Sequence, residues 1–227
     1  MGKILFMVGL LVAALVFPKM GVEQIEGWTV RVEDGLAGNA DWVSAKRELT
    51  RQLQQVNRVV ADEPLAKLKR VTIWVNRESA GSICMAYHPG AQWLKDRDLN
   101  PEMALGVEMG NVKNFVSWTY EQPWMVMHEL AHAYHHQFLE DGFENKVVKA
   151  AFEKAMASKK YEKILHWNGS ETKHYATNNQ MEYFAELTES YFGTNDFYPF
   201  VRAELMTYDR ASYALMETIW GKPVKRQ

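Results

Sequence analysis

The pattern of apolar and polar positions predicts a small sheet at the start of the chain. Residues 28–32 alternate with a period of two and are rich in β-formers, which predicts a first strand. Apolar residues in the segment 42–61 recur at helical spacing, with Asp41 as a suitable N-cap and Pro64 marking the end. The near-continuous apolar run 71–75 predicts a buried strand beside the first. The first third of the chain therefore predicts a β-α-β arrangement.

The remainder of the chain is expected to be mainly helical. Asn168-Gly169-Ser170-Glu171 separates two short β-prone segments, 163–167 and 172–176, and is typical of a hairpin. Further strands are predicted at residues 83–87, 105–109 and 115–118, and helices at residues 123–139, 145–158, 180–192 and 196–220. We predict an α+β class, with one domain over residues 22–227 and no linker inside it.

The first 21 residues have the pattern of a secretory leader. Lys3 precedes the apolar run 4–17, which is shorter than the roughly 20 residues of an ordinary membrane span. We therefore expect a signal peptide over residues 1–21 and a secreted or periplasmic protein. The segment after the run has no A-x-A cleavage site, so an uncleaved signal-anchor is the alternative. Contact with a membrane is expected only in that case.

Composition and charge narrow the classes of partner. Hydrophobic residues make up 47% of the chain and charged residues 24%, which are ordinary values for a globular protein. The net charge is −2 and no basic stripe is present, so nucleic acid is not an expected partner. Cys84 is the single cysteine, which excludes an internal disulfide and a cysteine-rich metal site. We expect a monomer that acts on a peptide or protein substrate.

The most specific chemical signal is the motif His128-Glu129-Leu130-Ala131-His132. Positions i and i+4 share one face of a helix, so His128 and His132 can offer imidazole nitrogens to a single Zn²⁺ ion. Glu129 lies beside them, where its carboxylate can take a proton from water activated by the metal. The motif lies in a predicted helix with apolar flanks, which favours a metal site over two hydrogen-bonded surface histidines.

A third zinc ligand must come from elsewhere. The metzincin pattern needs a Gly and a His where this chain has His135 and Phe138, so that class is excluded. Glu182 on the predicted helix 180–192 is one candidate, with Glu186 one turn later taking the outward N–H of a ligand histidine. Asp196 is the rival, because Gly193-Thr194-Asn195-Asp196 is similar to part of the aspzincin signature. We expect His135 to lie on the exposed surface of its helix.

Tyr175 precedes Glu182 by seven residues. A phenol close to the metal could stabilise an oxyanion, although a packed hairpin tyrosine has the same pattern. Together, HELAH and the segment 175–186 (YATNNQMEYFAE) resemble the catalytic domain of the anthrax lethal factor-type metallopeptidases, a gluzincin group with a zincin-like fold. The resemblance covers residues 124–192 and does not extend to the first hundred. It implies the zinc ligands His128, His132 and Glu182, the general base Glu129, the oxyanion-stabilising Tyr175 and the supporting Glu186.

The function expected from these residues is that of an exported zinc-dependent endopeptidase with Glu129 as general base. Two other functions would keep the same motif. One is a zinc-binding or peptide-binding protein of this fold without turnover, and the other is a zinc hydrolase of a non-peptide substrate. In the endopeptidase, an extended substrate could add to the strand predicted at residues 105–109.

Overall fold

The structure, a computed structural model, describes residues 16–225 and has α+β architecture with a small mixed sheet. The strands are β1 (Met20–Ile25), β2 (Trp28–Glu33), β3 (Ile73–Val75), β4 (Met85–Tyr87), β5 (Val107–Met109), β6 (Ile164–Leu165) and β7 (Glu171–Thr172). The helices are α1 (Ala40–Val59), α2 (Asp62–Leu68), α3 (Ala91–Lys95), α4 (Val112–Trp118), α5 (Met125–Phe138), α6 (Lys146–Ala157), α7 (Gln180–Phe192), α8 (Arg202–Tyr208) and α9 (Arg210–Trp220). The α+β class predicted from the sequence is confirmed.

The main sheet has five strands in the order β1-β2-β3-β5-β4. β3 runs parallel to both β2 and β5, while β1 and β4 are antiparallel edge strands. The predicted β-α-β arrangement is therefore present as β2-α1-β3. The expectation that a peptide adds to residues 105–109 is wrong, because β5 is paired on both sides. The available edge on that side of the sheet belongs to β4.

β1 was not predicted and begins close to the leader. It pairs Met20 with Glu33 and Gly21 with Val32, so its first two residues fall within the predicted leader segment 1–21. The first fifteen residues, which carry Lys3 and most of the apolar run, lie outside the described residues. Within residues 16–225 the structure contains no helix of the length and hydropathy that a membrane crossing requires.

The N-cap of the first helix lies two residues before the predicted cap, Asp41. The side chain of Asn39 accepts hydrogen bonds from the backbone N–H groups of Asp41 and Trp42, so Asn39 is the N-cap and Asp41 lies inside α1. Pro64 does not follow the helix as a stop signal. It occupies the first turn of the separate helix α2, where a missing backbone N–H costs nothing.

Two other predicted elements differ from the structure. Residues 115–118 belong to α4, whose start is capped by the side chain of Asn111, rather than to a strand. The predicted long helix 196–220 is two helices, because the backbone of Asp209 leaves helical geometry and its side chain caps α9 at Ser212 N. Residues 196–201 precede both helices, and Val201 occupies the N-cap position of α8.

The helix that carries the HELAH motif lies at the centre of the molecule. α5 packs against α7, α1, α2 and the edge strand β4. The core on this side of the sheet includes fully buried aromatic residues such as Trp28, Phe184 and Trp220. A smaller cluster of Trp74, Leu94, Leu99 and Met103 forms a second buried group. The motif helix therefore has rigid neighbours on several sides, which suits a site that needs fixed geometry.

Gly193 lets the end of α7 approach the start of α5. A Cβ at this position would lie 1.8 Å from Cε2 of Trp124, so no side chain fits. We expect Gly193→Ala to lower the free energy of unfolding by about 1–3 kcal/mol or more, because either α7 or the indole must shift. Urea unfolding followed by circular dichroism measures the change.

Gly90→Ala is the matched control. A Cβ at Gly90 meets nothing within 4 Å, and the backbone there is extended, so the free energy of unfolding should change by less than about 0.5 kcal/mol. Equal losses in the two variants would contradict the close approach at Gly193.

Candidate metal centre

The two histidines of the motif face the same point from successive turns of α5. Their Nε2 atoms lie 3.1 Å apart, and their ring planes are nearly perpendicular. His128 is mostly buried, with 13% of its side chain exposed, and His132 is similar at 11%. The helical spacing predicted from the sequence therefore brings these two nitrogens together.

Glu182 completes a triangle with the two histidines. Its Oε2 lies 3.2 Å from Nε2 of His128 and 3.3 Å from Nε2 of His132. Asn179 caps α7 through the N–H of Glu182, which fixes the first turn of that helix beside α5. Burial alone would raise the pKa of Glu182, but the hydrogen bonds with His128 and His132 hold it well below its usual range. The three side chains could hold a metal ion.

Asp196, the alternative third ligand, is not grouped with the two histidines. Among residues 16–225, only Glu182 joins His128 and His132 in a compact group of possible metal ligands. Oδ2 of Asp196 instead lies 3.7 Å from Nε2 of His166, and burial raises the pKa of this carboxyl group. Of the two candidates predicted from the sequence, Glu182 is the one that the fold brings to the histidines.

A second carboxylate, that of Glu189, hydrogen-bonds the ring nitrogen of His128 that does not face Glu182. Its Oε1 lies 2.7 Å from Nδ1 of His128, whereas Oε1 of Glu186 is 3.7 Å from the same nitrogen. Oε2 of Glu186 instead accepts a hydrogen bond from the side-chain amide of Asn195. Burial raises the pKa of Glu189 to about 7, and burial with the adjacent charge of Glu189 raises the pKa of Glu186 well above its usual value.

The role predicted for Glu186 is therefore filled by Glu189 in the structure. Glu182, Glu186 and Glu189 share one face of α7, so the spacing in the sequence marked all three as candidates. Spacing could not rank Glu186 and Glu189, because the choice depends on how α7 is rotated against α5.

Glu129 is held by the edge strand. Its Oε2 accepts a hydrogen bond of 2.7 Å from the backbone N–H of Tyr87, the last residue of β4. The Tyr87 hydroxyl is in turn 2.8 Å from Nδ1 of His136 and accepts a hydrogen bond from the Gln137 amide. Tyr87 is thus a site residue that the sequence did not reveal, since a backbone donor carries no side-chain signature.

Tyr175 lies at the rim of the same site. It begins a 3-10 turn, Tyr175–Thr177, rather than belonging to the hairpin, whose second strand ends at Thr172. The turn packs against α7, and the Tyr175 side chain is 47% exposed. Burial raises the pKa of its phenol, and the nearby charge of Glu182 raises it further. The hydroxyl is therefore in its neutral, proton-donating form at neutral pH.

His135 is not on the helix surface as expected. It is fully buried, with its ring centroid 5.3 Å from that of Phe143 and 5.0 Å from that of Phe184. Neither ring nitrogen has a hydrogen-bond partner within the described part of the chain. Burial, with a smaller contribution from His132 and His136, lowers the pKa of His135 to about 3.

Because burial disfavours protonation of His135, we expect the folded protein to lose stability in acid. Between pH 6.5 and about 3 the unfolded chain binds a proton at His135 that the folded chain does not, so the free energy of unfolding decreases as pH falls. At pH 5 the loss from this one group is about 2 kcal/mol relative to pH 7.5. His135→Leu should remove it, so urea unfolding of the variant should depend less on pH than that of the wild type. An equal decrease in both proteins would contradict a neutral buried imidazole.

Comparisons of the chain with protein-family models, with curated proteins and with solved structures gave no match. The resemblance to the lethal factor-type metallopeptidases therefore stays a prediction from the motifs.

Proposed function

We propose that the protein is an exported zinc-dependent endopeptidase with a gluzincin-type site. The observation that carries the proposal is the triangle formed by His128 Nε2, His132 Nε2 and Glu182 Oε2, with the Glu129 carboxylate held beside it. Export rests on the leader pattern of residues 1–21.

The dimensions of the triangle suit zinc. In a tetrahedral site with metal–ligand bonds of roughly 2.0–2.1 Å, neighbouring ligand atoms lie about 3.3 Å apart. The three distances here are 3.1, 3.2 and 3.3 Å. Two imidazole nitrogens and one carboxylate oxygen are also the donor set of many catalytic zinc sites, which keep a fourth position for water or substrate.

Each surrounding residue has a task in hydrolysis. Zinc, when bound, supplies a Lewis acid that polarises the scissile carbonyl and makes water a better nucleophile. Glu129 takes a proton from the attacking water and returns it to the leaving amine. The Tyr87 N–H holds Oε2 of Glu129, so that Oε1 is left for the proton. The Tyr175 hydroxyl donates a hydrogen bond to the developing oxyanion.

Glu189 prepares His128 for metal binding. A ligand imidazole that binds through Nε2 must carry its proton on Nδ1, and Glu189 accepts that proton in a hydrogen bond of 2.7 Å. This contact fixes both the tautomer and the ring orientation. Glu186 lies beside it and accepts a hydrogen bond from the side-chain amide of Asn195.

The edge strand β4 is suited to bind an extended peptide. Cys84 and His88 direct backbone groups to the β5 side, and alternation along an antiparallel strand places those of Met85 and Tyr87 on the outer side. The Tyr87 N–H is used by Glu129 and the Met85 backbone hydrogen-bonds the Cys84 thiol, so the edge groups left for a peptide are the carbonyls of Met85 and Tyr87. A peptide paired there would run past Glu129.

A library of proteome-derived peptides incubated with the purified protein tests the proposal. We expect cleavage that stops on treatment with a zinc chelator and returns on addition of Zn²⁺. Binding of peptides without cleavage would favour a protein of this fold that lacks turnover. Chelator-sensitive hydrolysis of ester or amide reporters alone would favour a non-peptide substrate.

A further inference from the structure

A surface cavity of about 380 Å³, lined by both apolar and polar groups, opens beside Tyr175. Its walls come from the β6–β7 hairpin, from the 3-10 turn at Tyr175, and from Phe197. The lining includes Lys173, His174, Thr172 and Asn178, and it contains no carboxylate. The polar groups of the cavity are therefore hydroxyls, an amide, two imidazoles and the single positive charge of Lys173.

His174 is the most informative residue of the cavity wall. It is 1% exposed, and its ring lies between those of Phe197 and Tyr161, at centroid distances of 5.0 and 5.2 Å. Its Nδ1 accepts a hydrogen bond from the backbone N–H of Ala176, so the single proton of the neutral imidazole is on Nε2. Burial lowers the pKa of His174 to about 3, which keeps the ring neutral.

The Nε2–H of His174 has no hydrogen-bond partner within the described residues. A buried donor without an acceptor destabilises the protein by roughly 1–3 kcal/mol, and a ligand that supplies the acceptor recovers this energy. Nε2 lies on the side of the ring opposite to Nδ1, which faces the Tyr175–Thr177 turn and Glu186. His174 belongs to the wall of the cavity, but its Nε2 is covered from solvent, so a group that enters the cavity reaches this donor only after the wall side chains shift.

We infer that this cavity binds an acidic side chain, Asp or Glu, of the substrate next to the bond that is cleaved. The inference rests on the proposed endopeptidase function, and it adds a substrate preference to it. Tyr175 connects the two sites, because it lines the cavity and begins the turn that packs against α7, the helix that carries Glu182.

A carboxylate suits the cavity better than an amide does. Lys173 lies at the rim with 55% of its side chain exposed, and it is paired only loosely with Glu162, at 3.4 Å. A substrate carboxylate could accept the His174 proton and attract this ammonium group at the same time. An amide side chain would satisfy His174 but would gain nothing from the charge of Lys173.

Three peptides that differ only at one residue beside the cleaved bond, Glu, Gln or Leu, test the preference. For the wild type we expect kcat/KM to be roughly 10- to 100-fold higher for the Glu peptide than for the Leu peptide, the range of a charge-assisted hydrogen bond. His174→Asn keeps an acceptor for the Ala176 N–H but has no group at the position of Nε2. It should lose most of the preference for the Glu peptide over the Leu peptide.

Lys173→Met separates charge from hydrogen bonding. It should lower the preference for Glu over Gln and leave the preference for Gln over Leu. Binding of the same three peptides, labelled with a fluorophore, to the Glu129→Gln variant by fluorescence anisotropy gives a readout without turnover, and the same order is expected.

The possible failures can be told apart. If no peptide is cleaved or bound, the proposed function fails. Cleavage of the three peptides at equal rates, with zinc content normal, would overturn the acidic-side-chain pocket alone. A wild-type preference that survives in His174→Asn would also overturn it. A Glu preference equal to the Gln preference would identify an amide pocket and contradict the role of Lys173.

Discussion

Glu129→Gln is expected to lower peptide hydrolysis by roughly 100- to 10,000-fold while leaving the metal bound, the range usual for loss of a general base. The reason is geometric as well as chemical. Glutamine has the size of glutamate, and its carbonyl oxygen can still accept the hydrogen bond from the Tyr87 N–H. It cannot take a proton from water. The histidines and Glu182 are untouched, so the ligand triangle should persist.

Two measurements on Glu129→Gln decide the point, namely kcat on a cleaved peptide and zinc content by atomic absorption. Glu140→Gln is a suitable control, because Glu140 is an exposed carboxylate just beyond the end of the same helix. It should keep both activity and zinc. Full activity in Glu129→Gln would show that another group is the base. Loss of zinc from that variant would show that Glu129 belongs to the metal site instead.

The sequence predicts well those helices and strands whose buried residues recur at a regular spacing or form a continuous apolar run. The helices α1, α5, α6 and α7 and the strands β2 and β3 each have a clear apolar face or a continuous apolar run, and each appears within a few residues of its predicted place. The two histidines of the motif are likewise a local feature, since four residues on one helix determine their distance.

The features that the sequence missed depend on contacts between distant segments. Residues 115–118 are apolar enough for a strand, but the Asn111 cap starts a helix there. His135 has the spacing of a surface residue, yet Phe143 and Phe184 enclose it. The Tyr87 N–H reaches Glu129 only because β4 is the edge strand beside α5, and no residue pattern encodes that pairing.

The choice between Glu182 and Asp196 as the third ligand also depends on contacts between distant segments. Glu182 lies in the first turn of a predicted buried helix and Asp196 lies just after its end, and motif similarity supported each of them. The packing of α7 on α5 brings Glu182 to the histidines, whereas the segment after Gly193 carries Asp196 to His166. Tertiary packing makes this distinction, so it can be tested with conservative substitutions that leave the helices intact.

Substitution of the three carboxylates should produce a graded loss of zinc. Glu182→Gln removes a charged ligand atom, so we expect zinc affinity to decrease by more than about 100-fold, beyond the 10- to 100-fold usual for a residue that only supports a ligand. Glu189→Gln should fall within that smaller range, because it weakens the hydrogen bond to Nδ1 of His128 without touching the triangle. Asp196→Asn should leave affinity unchanged. Competition with a chelator of known affinity measures all three, and zinc loss in Asp196→Asn with retention in Glu182→Gln would reverse the assignment of the third ligand.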